Sequence, residues 1–250
     1  PISKVINKLF KNNYLKQILE FPVLFLGAKP TKIPALYSLM NYADFKLGTW
    51  YPKGGMVQIS KAFAQVASDL GVEFYYNQDV KKIDCDDNKA SSIKTASGDV
   101  FEADIVLSGA DYAFSETLLD EGFRNYSAKY WESKTFAPSS LIFYLGVNKK
   151  VPKLNHHNLF FDTDFEQHAS TIYDSHEWPE DPLFYVCAPS VTEKDVAPEG
   201  CENLFILIPI STDLKDSEGI HQKMYDQVMN RLEKHVGENV RDHIIEKKNF

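Results

Sequence analysis

The most chemically capable pair in the chain is His156-His157, two imidazoles side by side. On a strand, adjacent side chains point to opposite faces, so this pair is not expected to share an ion, and no metal site is assigned. Cys85, Cys187 and Cys201 are odd in number, far apart and in no ligand spacing, and they read as reduced thiols. Asp162 and Asp164 lie two apart in a polar stretch and read as solvated, as do His168 and His176. Lys53-Gly54-Gly55 lacks the upstream glycine and the Lys-Ser/Thr ending of a phosphate loop. The chain holds no G-x-G-x-x-G, no G-x-S-x-G and no H-E-x-x-H. Catalytic residues therefore stay unassigned.

The elements that must carry these residues follow from periodicity. Ile2, Val5, Ile6, Leu9 and Phe10 repeat at helical spacing, with large apolar residues continuing to Phe25. Ile59, Phe63, Val66 and Leu70 predict a second amphipathic helix, which Gly71 can end through a left-handed cap. Val72, Phe74 and Tyr76 alternate as in a half-buried strand. Asp86-Asp-Asn88 and Ser97-Gly-Asp99 are turn clusters that predict a hairpin around residues 91–96, and Ile105-Val-Leu107 predicts a buried strand. Residues 54–111 therefore look like part of an α/β nucleotide-binding domain. Beyond Asp111, Leu141–Val147, Leu183–Ala188 and Leu204–Ile210 read as strands. Ile220, Met224, Val228 and Leu232 read as a helix capped by Ser217. The expected class is α+β with an α/β piece, the larger part built on an antiparallel sheet.

Charge is uneven. The 250 residues are 44% hydrophobic and carry 35 acids against 27 bases, a formal −8 that argues against a nucleic-acid partner. Residues 1–53 nevertheless hold eight lysines against Glu20 and Asp44. A lysine-flanked amphipathic segment can lie on an anionic membrane surface, or it can be a core-facing helix with a solvated lysine face. The longest stretch free of charge, residues 135–148, is too short for a membrane-spanning helix, which needs ~20 apolar residues. Both ends are expected to lie inside a longer protein: the chain starts at Pro1, and Glu246-Lys-Lys-Asn-Phe250 looks like a strand just beginning. Most of the 17 Phe, 13 Tyr and 3 Trp must be core, while a minority could line a long apolar channel.

The local sequence also resembles a known family. Trp50-Tyr-Pro-Lys-Gly-Gly-Met56, followed by the Ile59–Leu70 helix, is similar to the W-[FY]-P-[KR]-G-G segment of bacterial-type phytoene desaturases. So are Asn77-x-x-Val80-x-x-Ile83, Leu107-Ser-Gly-Ala-Asp111, Tyr144-Leu-Gly146, His156-His157, Tyr185-x-x-Ala188-Pro-Ser-Val-Thr192 and Ala197-Pro-Glu-Gly-Cys201, in order along nearly the whole chain. Gly109 departs from the family, which usually has Asn there. The resemblance implies an FAD-dependent oxidoreductase that desaturates a long isoprenoid polyene such as phytoene. No side chain can accept a hydride, so that chemistry needs a redox cofactor. It also implies a central fragment, with the N-terminal dinucleotide-binding motif and the C-terminal FAD segment outside residues 1–250.

Carried over residue by residue, the resemblance points to Val80 at the adenine end of FAD, to Gly54 and Gly55 beside cofactor or substrate, and to Ala110 and Asp111 at the cofactor edge. It implies a substrate domain formed by residues 1–49 and 112–250, interrupted by residues 50–111 as a portion of a Rossmann-like FAD domain. It further implies a cytoplasmic protein docked peripherally on the inner membrane, because a C40 hydrocarbon dissolves in the bilayer. A polyene isomerase or saturase of the same fold, or a non-catalytic apolar-ligand module, would share these features. Oligomeric state is not fixed by the sequence.

Overall fold

The structure is a computed structural model that describes residues 1–134, 136–212 and 214–250, without the side chains of Leu24 and Phe25. Along the chain lie α1 (Ile2–Leu9), α2 (Asn13–Glu20), α3 (Leu39–Tyr42) and α4 (Val57–Asp69). Then come β1 (Val80–Asp86), β2 (Lys89–Thr95), β3 (Val100–Glu102), α5 (Tyr112–Thr117) and α6 (Ala128–Glu132). The remainder is β4 (Ser139–Val147), β5 (His157–Phe160), α7 (Phe165–Ser170), β6 (Phe184–Cys187), β7 (Glu202–Ile210), α8 (Glu218–Val236) and β8 (Ile244–Asn249). Two compact units result, one of residues 1–63 and 136–250 and one of residues 64–135. Packing thus divides the chain near 63/64 and 135/136, where motif boundaries suggested 49/50 and 111/112.

In the first unit an antiparallel five-stranded sheet runs in the order β5-β6-β7-β4-β8. β4 and β7 pair continuously from Ser139↔Ile210 to Val147↔Glu202. Their alternation of buried and half-buried residues is the period of two that makes a strand two-faced. Leu141, Phe143 and Leu145 of β4 and Leu204, Ile206 and Ile208 of β7 share one face. They pack with Met224, Val228 and Leu232, the 3.6-residue stripe of α8. Burying each such side chain contributes ~1.5–3 kcal/mol, so this face dominates the stability of the unit. α8 begins where Ser217 accepts the Ile220 amide and ends where Gly237, at φ +80°, returns its N–H to the Glu233 carbonyl. A smaller cluster of Ile2, Ile6, Val23 and Ile33 anchors α1, reinforced by the Ile2 amide on the Ile33 carbonyl at 2.8 Å.

The second unit is a meander, β1-β2-β3, each strand antiparallel to the next. Asp87 and Asn88, both at positive φ, turn β1 into β2, and Gly98 at φ +94° sits in the turn before β3. Glu116, almost wholly buried, accepts from the amides of Asn125 and Tyr126 and from the Trp131 indole, so both its carboxyl oxygens have partners.

Two expected strands are not formed. Val72, Phe74 and Tyr76 lie outside any ladder among the described residues, as does Ile105-Val-Leu107, where Leu107 is 94% exposed. The apolar stripe of α4 forms as a helix but stays uncovered, with Phe63 74% exposed. The alternation is strand-like, but a strand exists only through a hydrogen-bonded neighbour, and none is present among the described residues. Among the described residues no helix is long and apolar enough to cross a membrane.

Candidate functional site

On the sheet face away from α8, the first unit holds a cavity of about 650 Å³. Phe21, Leu159, Phe161, Phe165, Leu183 and Leu207 give it apolar walls, into which His157, His168 and Tyr185 also project. His168, expected at the surface, is buried: its Nδ1 accepts from the Leu183 amide at 2.7 Å and its Nε2 faces the Pro209 carbonyl at 2.9 Å. With Nδ1 accepting, Nε2 carries the proton and donates. Burial holds this imidazole below its ordinary range, and both nitrogens are committed to backbone.

Three of the motif segments converge beside the cavity. Tyr51 packs edge-on against His156, ring centroids 4.5 Å apart. The Gly54 amide donates to the Glu193 carboxylate at 2.9 Å, the leading reason Glu193 stays below the usual carboxylate range. Gly54 is at φ +81°, and a Cβ there would stand 3.0 Å from the Gln58 amide nitrogen. His156 Nδ1 meets Thr192 Oγ1 at 2.6 Å, while its Nε2 is buried without a partner, and burial lowers its pKa. His157 Nδ1 lies 2.5 Å from the Tyr185 hydroxyl. The two residues are diagonal neighbours on one sheet face, because His157 opposes Cys187 and Leu159 opposes Tyr185 in the β5–β6 ladder.

The expectation that adjacent histidines diverge is overturned. His156 precedes the ladder, which begins at His157, so its ring is free to swing back, and the two centroids lie 4.4 Å apart. With Cys187 they bring three possible ligand atoms within 4.8 Å. Burial raises the Cys187 thiol and, with Cys187 beside it, the Tyr185 phenol. Cys187, Tyr185 and His157 thus form one hydrogen-bonded cluster.

Aromatic rings continue from this cluster across the strands. Tyr185 faces Phe205 at 6.2 Å, Phe205 faces Tyr144 at 5.3 Å, and Tyr144 faces Phe250 at 5.9 Å. A row of π surfaces thus crosses β6, β7 and β4.

The residues expected around FAD fall in both units. Gly54 and Gly55 belong to the first, and Val80, Ala110 and Asp111 to the second. Val80 opens β1 opposite Thr95. Asp111 caps α5, accepting from the Phe114 amide at 2.9 Å, and Ala110 precedes it. In the second unit residues 105–109 lie outside any ladder among the described residues, and a Cβ at Gly109 would meet nothing within 4 Å. His157, Tyr185, Cys187 and Glu193 were not among the expected site residues, although three of them lie in or at the motif segments and Glu193 follows one directly.

The first unit thus sets an antiparallel sheet, an apolar cavity and a glycine turn together. The profile of the family described as flavin containing amine oxidoreductase matches residues 3–239, and the chain belongs to that family. Among curated proteins it is 37% identical, over 96% of its length, to a carotenoid 3,4-desaturase of Haloarcula japonica, and 34% identical, over 82%, to a zeta-carotene-forming phytoene desaturase of Myxococcus xanthus. These alignments cover 49% and 39% of the relatives, so the chain spans about half their length or less. An oxidoreductase structure from Methanosarcina mazei covers the whole chain with a TM-score of 0.64 at 17% identity, with 55% of that protein aligned, and shows the shared fold. The resemblance to carotenoid desaturases and the flavin cofactor drawn from the sequence are borne out at this level.

Proposed function

We propose that the protein containing this chain is an FAD-dependent carotenoid desaturase acting on a long acyclic polyene such as phytoene. The observation that carries the reading is the 650 Å³ apolar cavity opening on a sheet face crossed by a row of rings. That volume lies within the ~300–1,000 Å³ of ligand sites, and a row of edge-on aromatic rings gives a long apolar strip that suits an extended chain better than a compact ligand.

FAD, when bound, supplies the hydride acceptor that no side chain can provide. In the second unit the segment around Val80 and the turn at Ala110-Asp111 would hold it; in the first unit Gly54 and Gly55 would present a backbone without Cβ atoms to cofactor or substrate. Residues 50–111 would then be the Rossmann-like portion, and residues 1–49 with 112–250 the substrate domain. The walls built by Phe161, Phe165 and Leu207 exclude water and fix the polyene by shape.

Such a substrate is reached from a bilayer, and the N-terminal region suits docking at a membrane surface from the cytoplasmic side. Leu9, Tyr14, Leu36, Phe45 and Trp50 are all exposed there among Lys4, Lys8, Lys11 and Lys46.

The test is expression of the full-length protein in a phytoene-accumulating bacterial host, followed by absorption spectra of the extracted lipids. New visible bands, placed by the number of added double bonds, are expected. Unchanged phytoene beside flavin-loaded protein would reject the reading.

A further inference from the structure

One imidazole beside the cavity keeps a nitrogen in reserve. Thr192 Oγ1 donates its single proton to the Pro189 carbonyl at 3.3 Å, so the same oxygen must accept from His156 Nδ1–H at 2.6 Å. That fixes the tautomer. His156 Nε2 carries a bare lone pair, buried and without a partner among the described residues. The ring is held by Thr192 on one side and by Tyr51, edge-on at 4.5 Å, on another. His168, by contrast, spends both nitrogens on backbone. His157 and Cys187 are direct partners in the β5–β6 ladder, so their side chains leave the same sheet face. A ring nitrogen of each of the two adjacent histidines and the Cys187 Sγ lie within 4.8 Å of one another.

We infer that His156, His157 and Cys187 form a binding site for a thiophilic divalent cation of the Zn²⁺ class. Two imidazoles and a thiolate are donors that such an ion prefers, and three protein ligands leave the fourth tetrahedral position to solvent. Binding forms one metal–sulfur and two metal–nitrogen bonds, the Cys187 thiol proton passes to solvent, and no oxidation state changes. Thr192 is the positioning residue: its hydroxyl accepts the second N–H of a ligating imidazole and so orients the ring, the usual outer partner in such sites. A buried lone pair without a donor is costly, and the ion relieves it. Cys187 falls at an open position of Tyr185-x-x-Ala188, so the resemblance to the desaturases supplies the histidines and not the thiol. The ion would tie the residue ahead of β5 to the β5–β6 edge and stiffen the cavity wall where His157 and Tyr185 stand.

The test titrates Co²⁺, a coloured substitute for Zn²⁺, into tag-free, full-length, FAD-loaded protein and follows its d–d bands at the red end of the visible, clear of the flavin. Intense bands of a tetrahedral ion, with a thiolate charge-transfer band in the difference spectrum, are expected to saturate at one ion per chain and to vanish when Zn²⁺ is added. Cys187→Ser should remove the charge-transfer band, and both it and His156→Gln should weaken Zn²⁺ binding about a hundredfold or more. Thr192→Val should weaken it by ~10–100-fold yet keep the charge-transfer band at saturation, which a ligand variant would not. Cys201→Ser, at a thiol outside the cluster, should change nothing. Zn²⁺ should also raise the melting temperature of the wild type and not that of Cys187→Ser. Retained flavin absorption identifies the variants that fold. Folded wild type that gives no bands, or only the faint bands of an octahedral ion, overturns the site, as does binding that survives Cys187→Ser and His156→Gln undiminished. The desaturase reading stands or falls separately, on the lipid spectra.

Discussion

The two faces of the five-stranded sheet are built from the same strands, alternate residue by alternate residue, yet they obey different rules. Toward α8, β4 and β7 present Leu, Ile, Val and Phe, nearly all fully buried, closed by a helix with its caps in place. Away from α8 the same strands present Tyr144, Phe205, Leu207 and Pro209, half-buried at most, beside a cavity. The first face is complete in itself, and its residues are chosen for packing density. The second keeps apolar surface open, which a folded protein does at a cost that only a ligand or partner offsets. Stability and function are thus separated by the pleat of a single strand pair.

That separation is sharpest under truncation. Ile206→Ala on the closed face should destabilise the first unit by ~2–5 kcal/mol, while Leu207→Ala, the next residue, should cost ~1–2 kcal/mol. Calorimetric or denaturant unfolding would measure the difference, and equal losses would break the comparison. His168 is the exception on the open side, a structural residue facing a functional cavity. His168→Leu strands a buried amide and a buried carbonyl, and should cost ~1–3 kcal/mol. Because burial keeps His168 and His156 below the ordinary imidazole range, unfolded chains take up protons first on acidification. The His168 contribution is present above the unfolded value near pH 6.5 and is lost as the pH falls below it, by at most ~1.4 kcal/mol per pH unit, and the more exposed His156 adds a smaller loss in the same direction. Melting temperatures at pH 7.5 and 5.5 should show that loss, with a shallower slope in the His168 variant.

Gly54→Ala should cost ~1–2 kcal/mol, since Gly54 lies at positive φ with the Gln58 amide beside it. The effect is read by unfolding, and a neutral result would mean that the turn relaxes. Smallest in stability is Phe205→Ala, expected within ~1 kcal/mol, but it should weaken polyene binding roughly two- to tenfold by removing one ring of the row. A variant that loses stability and keeps its affinity would assign Phe205 to the closed side of the comparison.

The closed face was the legible one. The alternation in β4, β6 and β7, the stripe on α8 and its Ser217 cap all follow from residues a few positions apart. β5 was not foreseen, because His157-Asn-Leu-Phe160 is too short and too polar to show a period. The site depended on contacts between segments distant in sequence. Gly54 and Glu193 are 139 residues apart, and His156 reaches Thr192 only because the ladder starts one residue later. Periodicity describes a strand's own faces and says nothing of what arrives across them. The same limit applies to Val72–Tyr76 and Ile105–Leu107, whose pattern is that of strands and which join no ladder among the described residues.

Those two stretches bear on how the material behaves in a test tube. Phe74 and Tyr76 stack with planes 5° apart, and Ile105 and Leu107 stand almost fully in solvent, neither stretch in a ladder among the described residues. Apolar, exposed and in no ladder among the described residues, they are sites for edge-to-edge pairing between copies of the chain. Samples limited to these 250 residues should therefore self-associate with rising concentration, and a charged substitution such as Leu107→Lys should keep them dispersed while leaving the sheet and α8 untouched.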